Sequence, residues 1–430
     1  MSLDFVILAA GNSSRMKSLL PKKFQELAEK PIVRYIIDVC KQVAHNDIIV
    51  VTNKEFKENE NFSDTKVCVQ EIMNGTAGAV KSALHLLKSD YTIVLCSDMP
   101  FIENKHLESL ISDKNDISFI AMQLPEEFSE TSYGRVIKSD SQKFSKIVEY
   151  KNASETEKQC LMANSGVYKI KTSLIKKYID FIKPDETSSE LYFTDLINVL
   201  KNENLDISII EEKEYWPFLG VNTMSDLALA EELTQCKLRN NFMEKGVKFH
   251  DPKSVYLSFD TIIEEDVVIE QNVIIKQNVV IKKGATVKAF SYIEDCELCE
   301  NSIVGPFARI RGNSKLMENS EIGNFVEIKS SVIGNKTKIK HLAYIGDTTI
   351  GTKSNIGAGT ITCNYDGVRK HKTLIGDNVM VGANCSLIAP LEIKSDSLLG
   401  AGSVVNADVP PNSLAISRPK LEIKQRKPNP

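Results

Sequence analysis

Aliphatic residues return every six positions in the C-terminal half of the chain. They fall at Ile263, Ile269, Ile275, Ile281, Val287 and Ile293, and again at Ile375, Val381, Leu387, Ile393, Leu399 and Val405. Neither the 3.6-residue repeat of an α-helix nor the two-residue alternation of a strand gives this period. A chain that turns a corner every six residues does, because stacked corners bury one aliphatic column per face. The pattern therefore predicts a parallel β-helix of roughly eight or nine coils over about residues 250–415.

The N-terminal half alternates short apolar segments with amphipathic ones. The predicted strands are Phe5–Ala10, Asp47–Thr52, Lys66–Gln70, Tyr91–Cys96 and Ile117–Met122, and the predicted helices are Pro31–Val43, Ala77–Leu87 and Asn104–Ile111. This alternation favours an open, mostly parallel α/β sheet of the Rossmann-like type, in which ligands bind beyond the carboxyl ends of the strands. Apolar spacing over Asp226–Lys245, stopped by Gly246, predicts a helix that connects two domains.

The six-residue period is expected to break in two places. One is Gly305–Ser320, where Pro306 and Phe307 stand among polar residues. The other is a polar insertion between Ile361 and Ile375. Insertions leave a stack of coils as loops, and loops are where binding groups tend to lie.

Length and charge restrict the function classes. A chain of 430 residues predicts two domains, and a net charge of -4 argues against a nucleic-acid surface. The sequence contains no run of 18 apolar residues, so no membrane span is predicted. No basic leader precedes the apolar strand at Phe5, and we therefore expect a cytoplasmic protein. The odd number of cysteines, nine, favours reduced thiols. Cys296 and Cys299 lack a second pair for zinc and are interpreted as β-helix wall positions.

The first predicted βα turn carries candidate phosphate-binding groups. Small residues after a strand let backbone N–H groups approach a phosphate, and Arg15 and Lys22 would neutralise its charge. The stretch Leu8-Ala9-Ala10-Gly11-Asn12-Ser13-Ser14-Arg15-Met16, followed by Pro21-Lys22, resembles the L-A-A-G-x-G-T-R-M…P-K signature of sugar-1-phosphate nucleotidyltransferases. Ser13 and Ser14 stand where that family has Gly-Thr, so Ser13 must accept a conformation that glycine adopts more readily.

Further residues match that family in order along the chain. The resemblance implies that Gln70, Gly75 and Thr76 read uracil, that Asp98 and Asn222 bind Mg²⁺, and that Arg15 and Lys22 assist catalysis. The implied UTP and UDP-N-acetylglucosamine site comprises Leu8, Ala9, Ala10, Gly11, Arg15, Lys22, Gln70, Gly75, Thr76, Asp98, Gly134, Glu149, Asn164 and Asn222. Attack of a sugar phosphate on the α-phosphorus needs charge neutralisation and in-line positioning rather than a covalent protein group. Ser97 replaces the family's glycine before the aspartate.

The β-helix segment carries its own signature. His341 precedes the run Gly357-Ala358-Gly359-Thr360-Ile361-Thr362-Cys363-Asn364-Tyr365-Asp366-Gly367 and then Lys370. Over essentially its whole length the chain resembles the bifunctional bacterial N-acetylglucosamine-1-phosphate uridyltransferase/glucosamine-1-phosphate N-acetyltransferases. The resemblance implies a left-handed β-helix, a homotrimer, and synthesis of UDP-N-acetylglucosamine for cell-envelope precursors from glucosamine 1-phosphate, acetyl-CoA and UTP. The expected domains are 1–225 (uridyltransferase), 226–246 (connecting helix), 247–415 (acetyltransferase) and 416–430 (tail).

The resemblance also assigns the acetyltransferase residues. His341 would be the general base that takes a proton from the attacking amine. Arg311, Lys329, Tyr344, Asn355 and Lys370 would bind glucosamine 1-phosphate. Ala358, Asn364, Tyr365, Ala383, Ala401 and Arg418 would border acetyl-CoA, with the Ala358 amide serving the thioester oxyanion and Asn364 also orienting the sugar and the base. Ala383 stands where relatives can carry serine, and the tail is short.

Two other functions stay open at this point. The chain could be a monofunctional sugar-1-phosphate nucleotidyltransferase whose β-helix is only an oligomerisation scaffold. His341, Lys370 and the polar insertion count against this, because a plain scaffold needs none of them. The chain could also be a non-catalytic subunit that binds nucleotide sugars, against which Lys22, Asp98 and Asn222 count.

Overall fold

The computed structural model describes residues 2–425 except 12, 140, 141 and 187. The chain forms two compact units, Met1–Ala230 and Glu231–Pro430. Among the described helices, none has both the length and the apolar character needed to cross a lipid bilayer.

The N-terminal unit is built on one mixed sheet. Its described strands, in spatial order, are Ser208–Glu212, Ile117–Gln123, Met162–Lys171, Tyr91–Cys96, Leu3–Leu8, Asp47–Thr52 and Lys66–Val69. Arg135–Lys138 also pairs with Met162–Lys171, and Phe144–Val148 pairs with Arg135–Lys138. Its described helices are Ile32–Lys41, Thr76–Ala83, Asn104–Ser112, Glu155–Lys158, Thr172–Tyr178 and Phe193–Asn202; a two-strand ribbon joins Glu26–Leu27 to Lys30–Pro31. The long strand Met162–Lys171 runs antiparallel to both of its neighbours. The predicted α/β sheet is confirmed. The sequence did not predict this reversed strand, nor the strands Arg135–Lys138, Phe144–Val148 and Ser208–Glu212.

The central strand Leu3–Leu8 explains where the ligand edge lies. Phe5, Val6 and Ile7 are fully buried because helices cover both faces of a central parallel strand. The strand ends at Leu8, two residues earlier than predicted, so Ala9 and Ala10 belong to the following turn. The helix predicted to reach Leu87 ends at Ala83. The connecting helix is observed at Met224–Glu244, close to its predicted bounds.

The C-terminal unit is a parallel β-helix with three faces. One face holds Lys248–Phe249, Val268–Ile269, Thr286–Val287, Ile303–Val304, Glu321–Asn324, Lys338–His341, Asn355–Ile356, Met380–Val381, Leu398–Leu399 and Leu414–Ala415. The second holds Ile262–Ile263, Val279–Ile281, Cys296–Leu298, Ser314–Leu316, Val332–Ile333, Thr348–Ile350, Thr373–Ile375 and Leu391–Ile393. The third holds Ile274–Ile275, Tyr292–Ile293, Arg309–Arg311, Glu327–Lys329, Tyr344–Gly346, Ile361–Cys363, Ser386–Ile388 and Val404–Val405. All twelve aliphatic residues of the six-residue period are buried, which confirms the prediction.

The prediction that the period breaks at Gly305–Ser320 is wrong. Val304, Ile310, Leu316 and Ile322 remain buried and in strands through this stretch. Phe307 does not leave the stack, because it occupies a corner with a left-handed backbone, φ 55°. The second interruption is confirmed: Ile350 pairs with Ile375 on the next coil, and the polar insertion leaves the wall between them.

Candidate active sites

The N-terminal unit holds a cavity of about 460 Å³ at the carboxyl ends of Leu3–Leu8 and Tyr91–Cys96. Its lining is Leu8, Ala9, Ala10, Gly11, Ser13, Ser14, Arg15, Lys22, Lys23, Gln70, Met73, Gly75, Thr76, Ala79, Cys96, Ser97, Asp98, Glu190 and Tyr192. Ten of the fourteen residues predicted for the nucleotide site line this cavity. The other four, Gly134, Glu149, Asn164 and Asn222, lie beside it rather than in its wall.

The serine that replaces the family's glycine adopts the glycine-like conformation. Ser13 has φ 55°, in the left-handed region. Its hydroxyl accepts a hydrogen bond of 3.1 Å from the backbone N–H of Lys22, which begins a short turn over Lys22–Phe24. The strain of the left-handed backbone is thus accompanied by a hydrogen bond that glycine could not make.

Basic and oxygen-bearing side chains converge at one end of the cavity. The Lys22 ammonium forms a salt bridge with Asp98 and donates to Asn222 Oδ1 at 2.8 Å. The Arg15 guanidinium donates to the same Asn222 oxygen at 2.9 Å. The backbone N–H of Val221 donates to the Asp98 carbonyl at 2.9 Å, which fixes the Asn222 loop beside that strand end. The structure therefore brings together all four residues that were predicted for catalysis and the metal in this unit.

The predicted uracil-reading segment is held by a loop distant in sequence. Gly75 has φ 101°, and a Cβ atom there would lie 2.6 Å from the Leu191 carbonyl oxygen, so only glycine fits. Gln70 Nε2 donates to the Gly75 carbonyl at 3.1 Å. Thr76 Oγ1 accepts from the Phe193 N–H at 2.8 Å.

The predicted sugar residues form a second group. Asn164 N–H donates to the Gly134 carbonyl at 2.8 Å, and a Cβ atom on Gly134 would lie 3.7 Å from Glu149 Oε2. Burial raises the pKa of the Glu149 carboxyl, while a 2.7 Å hydrogen bond from Thr194 Oγ1 opposes that shift. The Tyr133 hydroxyl accepts from the Gly220 N–H at 2.9 Å and so links this group to the Asn222 loop.

Some cavity residues had no local signal in the sequence. Glu190 and Tyr192 arrive on a loop far from the first turn, so only the three-dimensional fold identifies them. Lys23 stands next to Lys22, but nothing in the sequence shows that its side chain is buried. Burial, reinforced by the Asp98 charge, raises the pKa of the Cys96 thiol to about 12, so this cavity residue is a neutral thiol near pH 7.

In the C-terminal unit, His341 ends the strand Lys338–His341 next to a corner. Its Nδ1 atom is 2.6 Å from Asn324 Oδ1 on the adjacent strand, with which it is in register. Asn324 was not predicted as a site residue. The sequence signal that could have identified it is its spacing: Asn324 lies 17 residues before His341, which is the length of one coil of the β-helix.

The predicted phosphate-binding cations meet on the third face. Arg311 and Lys329 are directly paired on adjacent strands, and the Arg311 guanidinium forms a 2.7 Å salt bridge with Glu327. The neighbouring Lys329 ammonium is the largest of the causes that lower the pKa of Lys370. Tyr344 pairs with Glu327 on the same face. Asn355 does not join this group, because its strand belongs to the face that carries His341.

A hairpin in the polar insertion presents Lys370. Tyr365 and Lys370 form an antiparallel bridge. The Asp366 carboxylate accepts hydrogen bonds from the N–H groups of Val368 and Arg369 at 2.8 and 2.7 Å, and His371 Nε2 lies 2.7 Å from it. Asn364 Nδ2 donates to Asp347 Oδ2 at 2.5 Å and ties the hairpin base to the wall.

Four of the six predicted acetyl-CoA residues follow one edge of the β-helix, whereas Asn364 and Tyr365 belong to the hairpin. The Ala358 carbonyl accepts from Asn384 N–H at 2.7 Å, and the Ala383 carbonyl accepts from Gly402 N–H at 2.8 Å. These bonds stack the turns that contain Ala358, Ala383 and Ala401. The Arg418 Cδ atom lies 3.8 Å from the Cβ position of Gly402, at the same edge.

Known proteins resemble the chain along nearly all of its length. Residues 5–149 match the family model described as the MobA-like NTP transferase domain. Bifunctional protein GlmU of Thermodesulfovibrio yellowstonii is 39% identical over 438 residues, covering 97% of this chain and 96% of the relative. Bifunctional protein GlmU of Campylobacter fetus is 38% identical and covers 97% and 95%. An inositol-1-phosphate CTP transferase from T. maritima is similar over 54% of this chain and 94% of its own, with 15% identity and TM-score 0.43.

Proposed function

Because the chain belongs to the family of bifunctional GlmU proteins, we propose that the two groups of residues described above are its uridyltransferase and acetyltransferase sites. The enzyme acetylates glucosamine 1-phosphate from acetyl-CoA and then transfers a uridylyl group from UTP to the product, releasing pyrophosphate. The observation that carries the first assignment is the convergence of Arg15, Lys22, Asp98 and Asn222 on one end of the cavity.

In the uridyltransferase, the chain supplies charge and orientation. Arg15 and Lys22 face the triphosphate and neutralise charge on the oxygens that surround the attacked α-phosphorus. Gln70, Gly75 and Thr76 hold the uracil. Gly134, Glu149 and Asn164 orient N-acetylglucosamine 1-phosphate so that its phosphate oxygen attacks in line with the departing pyrophosphate.

The residues present fit a magnesium ion. The Lys22 ammonium contacts oxygens of both Asp98 and Asn222, so these oxygens converge on a single cation position. One carboxylate and one amide oxygen suit Mg²⁺, which keeps several waters and takes its other ligands from phosphate. We propose Asp98 and Asn222 as its protein ligands; when bound, the ion would neutralise phosphate charge.

In the acetyltransferase, His341 removes a proton from the 2-amino group of glucosamine 1-phosphate as that nitrogen attacks the thioester carbonyl. The amide bond forms, the C–S bond breaks, and coenzyme A leaves as a thiol. Asn324 orients the imidazole through its 2.6 Å contact. Arg311, Lys329 and Lys370 bind the phosphate, and Tyr344, Asn355 and Asn364 orient the sugar. The Ala358 amide donates to the oxyanion, while Tyr365, Ala383, Ala401 and Arg418 border the cofactor.

We further propose that the chain acts as a homotrimer through its β-helix. Phe290, Phe307, Phe325 and Leu342 form an exposed apolar column along one corner. The phenyl rings of Phe290, Phe307 and Phe325 stack in succession, with centroids 4.9 and 5.2 Å apart. A contiguous exposed apolar patch of this kind is typical of a protein interface, and a groove beside it reaches Tyr344, a proposed sugar ligand. A neighbouring copy on this corner would close the acetyltransferase site.

The compartment and the domain bounds complete the proposal. All nine cysteines are free thiols in the described structure, as expected of a reducing compartment, and we place the enzyme in the cytoplasm. Residues 1–225 form the uridyltransferase domain, 226–246 the connecting helix, 247–415 the acetyltransferase domain and 416–430 the tail.

Two variants assayed in both half-reactions test the proposal. Asp98→Ala should lose pyrophosphate release from UTP and N-acetylglucosamine 1-phosphate while keeping release of coenzyme A from acetyl-CoA and glucosamine 1-phosphate. His341→Ala should show the opposite pattern. An active wild-type uridyltransferase without acetyl transfer would favour a monofunctional enzyme with a β-helix scaffold.

A further inference from the structure

A second lysine, Lys23, lines the uridyltransferase cavity although its side chain is almost fully buried. Lys23 follows Lys22 in the turn Lys22–Phe24, but only 2% of its surface is exposed. Its ammonium donates a 2.6 Å hydrogen bond to the Ala9 carbonyl and a 3.2 Å bond to Thr52 Oγ1. The Phe56 ring lies 4.6 Å from the same ammonium. Lys23 thus joins the turn after one strand to the end of the neighbouring strand.

The peptide unit that Lys23 contacts borders the ligand cavity. The Ala9 carbonyl and the Ala10 N–H belong to the same peptide bond, and both residues line the cavity. Ala10 is buried, yet across the described part of the chain its N–H has no hydrogen-bond partner. Buried backbone donors are almost always paired, so an unpaired one beside a cavity points to a bound acceptor.

We propose that Lys23 is a positioning residue for UTP, which polarises the Ala9–Ala10 peptide so that the Ala10 N–H binds an oxygen of the nucleotide. A cation on a carbonyl strengthens the N–H of the same amide as a donor, because hydrogen bonds in a chain polarise one another. The proposal rests on the uridyltransferase function proposed above and adds a residue that does not itself touch the substrate.

The charge of Lys23 is held at a cost to the fold. Burial lowers its pKa to about 8, and the opposing charge of Glu55 only partly offsets this. In the described structure no carboxylate forms a salt bridge with it. Glu55, on the turn Lys54–Phe56, is the one charged group that acts on its pKa; its other described contacts, Ala9, Thr52, Phe24 and Phe56, are neutral. A buried unpaired ammonium suits a site that receives an anion.

The test compares two buried lysines in the full-length protein. Lys169 matches Lys23 closely: it is 1% exposed, its ammonium donates to the Asp113 carbonyl at 2.5 Å, and burial lowers its pKa. It does not line the cavity. Initial rates of pyrophosphate release are measured with UTP varied at saturating N-acetylglucosamine 1-phosphate. Lys23→Met should raise the KM for UTP about 10-fold and leave kcat within about 2-fold, because the Ala10 N–H loses the cation that strengthens it as a donor to the bound nucleotide.

Lys169→Met should leave the KM for UTP unchanged, and both variants should keep wild-type acetyl transfer. A KM for UTP in Lys23→Met within about 2-fold of wild type overturns the inference, as does an equal rise in Lys169→Met. If Lys23→Met does not fold, the wild type decides: its KM for UTP must rise between pH 7 and 9.5 as Lys23 loses its proton, and a flat profile overturns the inference. Wild-type protein that releases no pyrophosphate contradicts the uridyltransferase function itself.

Discussion

The guanidinium of Arg15 donates a 2.9 Å hydrogen bond to the side-chain oxygen of Asn222, although the two residues stand 207 positions apart. Lys22 contacts the same oxygen at 2.8 Å and also pairs with Asp98. The first and last segments of the N-terminal unit therefore meet at one end of the cavity, where two cations contact side-chain oxygens of Asp98 and Asn222. The proposed phosphate chemistry depends on this meeting.

Replacing Asn222 should impair uridylyl transfer in a magnesium-dependent way. Asn222→Ala removes a proposed ligand of the ion and the shared acceptor of Arg15 and Lys22. We expect kcat/KM for UTP to fall by on the order of 100-fold, as for loss of an oriented electrostatic group. The Mg²⁺ concentration for half-maximal rate should rise as well. Acetyl transfer by the same preparation is the control, and an unchanged Mg²⁺ dependence would argue against Asn222 as a ligand.

His341 and Asn324 should be separable by the size of their effects. His341→Ala removes the proposed base, so acetyl transfer should fall by roughly 100- to 10,000-fold. Asn324→Ala keeps the imidazole but loses its 2.6 Å contact, so a smaller loss of about 10-fold is expected. Release of coenzyme A thiol measures both. Equal losses in the two variants would mean that Asn324 does more than orient the ring.

Lys329 and Lys370 should act together on the sugar phosphate. Their ammoniums repel each other in the free protein, which lowers the pKa of Lys370. A bound phosphate relieves this repulsion, so we expect Lys329→Met and Lys370→Met each to raise the KM for glucosamine 1-phosphate about 10-fold or more. The Lys329→Met variant should also raise the pKa of Lys370. Lys353→Met, a variant of another β-helix lysine outside the site, should leave that KM unaltered.

Lys23 should make the stability of the N-terminal unit depend on pH. Its folded-state pKa of about 8 lies below the ordinary value of 10.5, so between these values the unfolded chain holds a proton that the folded chain has lost. The free energy of unfolding attributable to Lys23 therefore increases with pH in this window, at up to about 1.4 kcal/mol per pH unit, and levels off below pH 8, where both states hold the proton.

Urea unfolding of wild type and Lys23→Met, followed by the fluorescence of the single tryptophan, Trp216, measures this difference at pH 7, 8 and 9.5. Trp216 lies in the N-terminal unit and reports on that unit. If the free energy of unfolding changes with pH by the same amount in the two proteins, the predicted linkage is refuted.

The exposed aromatic column should control assembly. Phe307→Asp places a charge in the centre of the Phe290–Phe307–Phe325 stack, so it should dissociate the proposed trimer and abolish acetyl transfer while uridylyl transfer persists. Light scattering after size-exclusion chromatography measures the mass. Phe181→Asp changes an exposed residue of the N-terminal unit and should alter neither the assembly state nor acetyl transfer. A Phe307→Asp protein that remains trimeric would place the interface elsewhere.

The sequence predicted the β-helix well because its periodic signal is carried by residues such as Ile281 and Leu387, whose burial is repeated on every coil. It misjudged Phe307, since a large apolar residue at a corner looks the same in sequence as an insertion. It predicted the individual residues of the nucleotide turn, but it did not identify Lys23, Asn324 or Tyr192 as parts of a site. Each of these depends on a long-range contact or on the burial of a single side chain, and neither leaves a local pattern.

The central claim is that one chain performs both reactions in sequence. A single incubation with glucosamine 1-phosphate, acetyl-CoA, UTP and Mg²⁺, in which free coenzyme A thiol and pyrophosphate are followed separately, tests it most directly. We predict that both products appear and that pyrophosphate release requires acetyl-CoA. Pyrophosphate without coenzyme A release would contradict the claim and leave the β-helix as a scaffold.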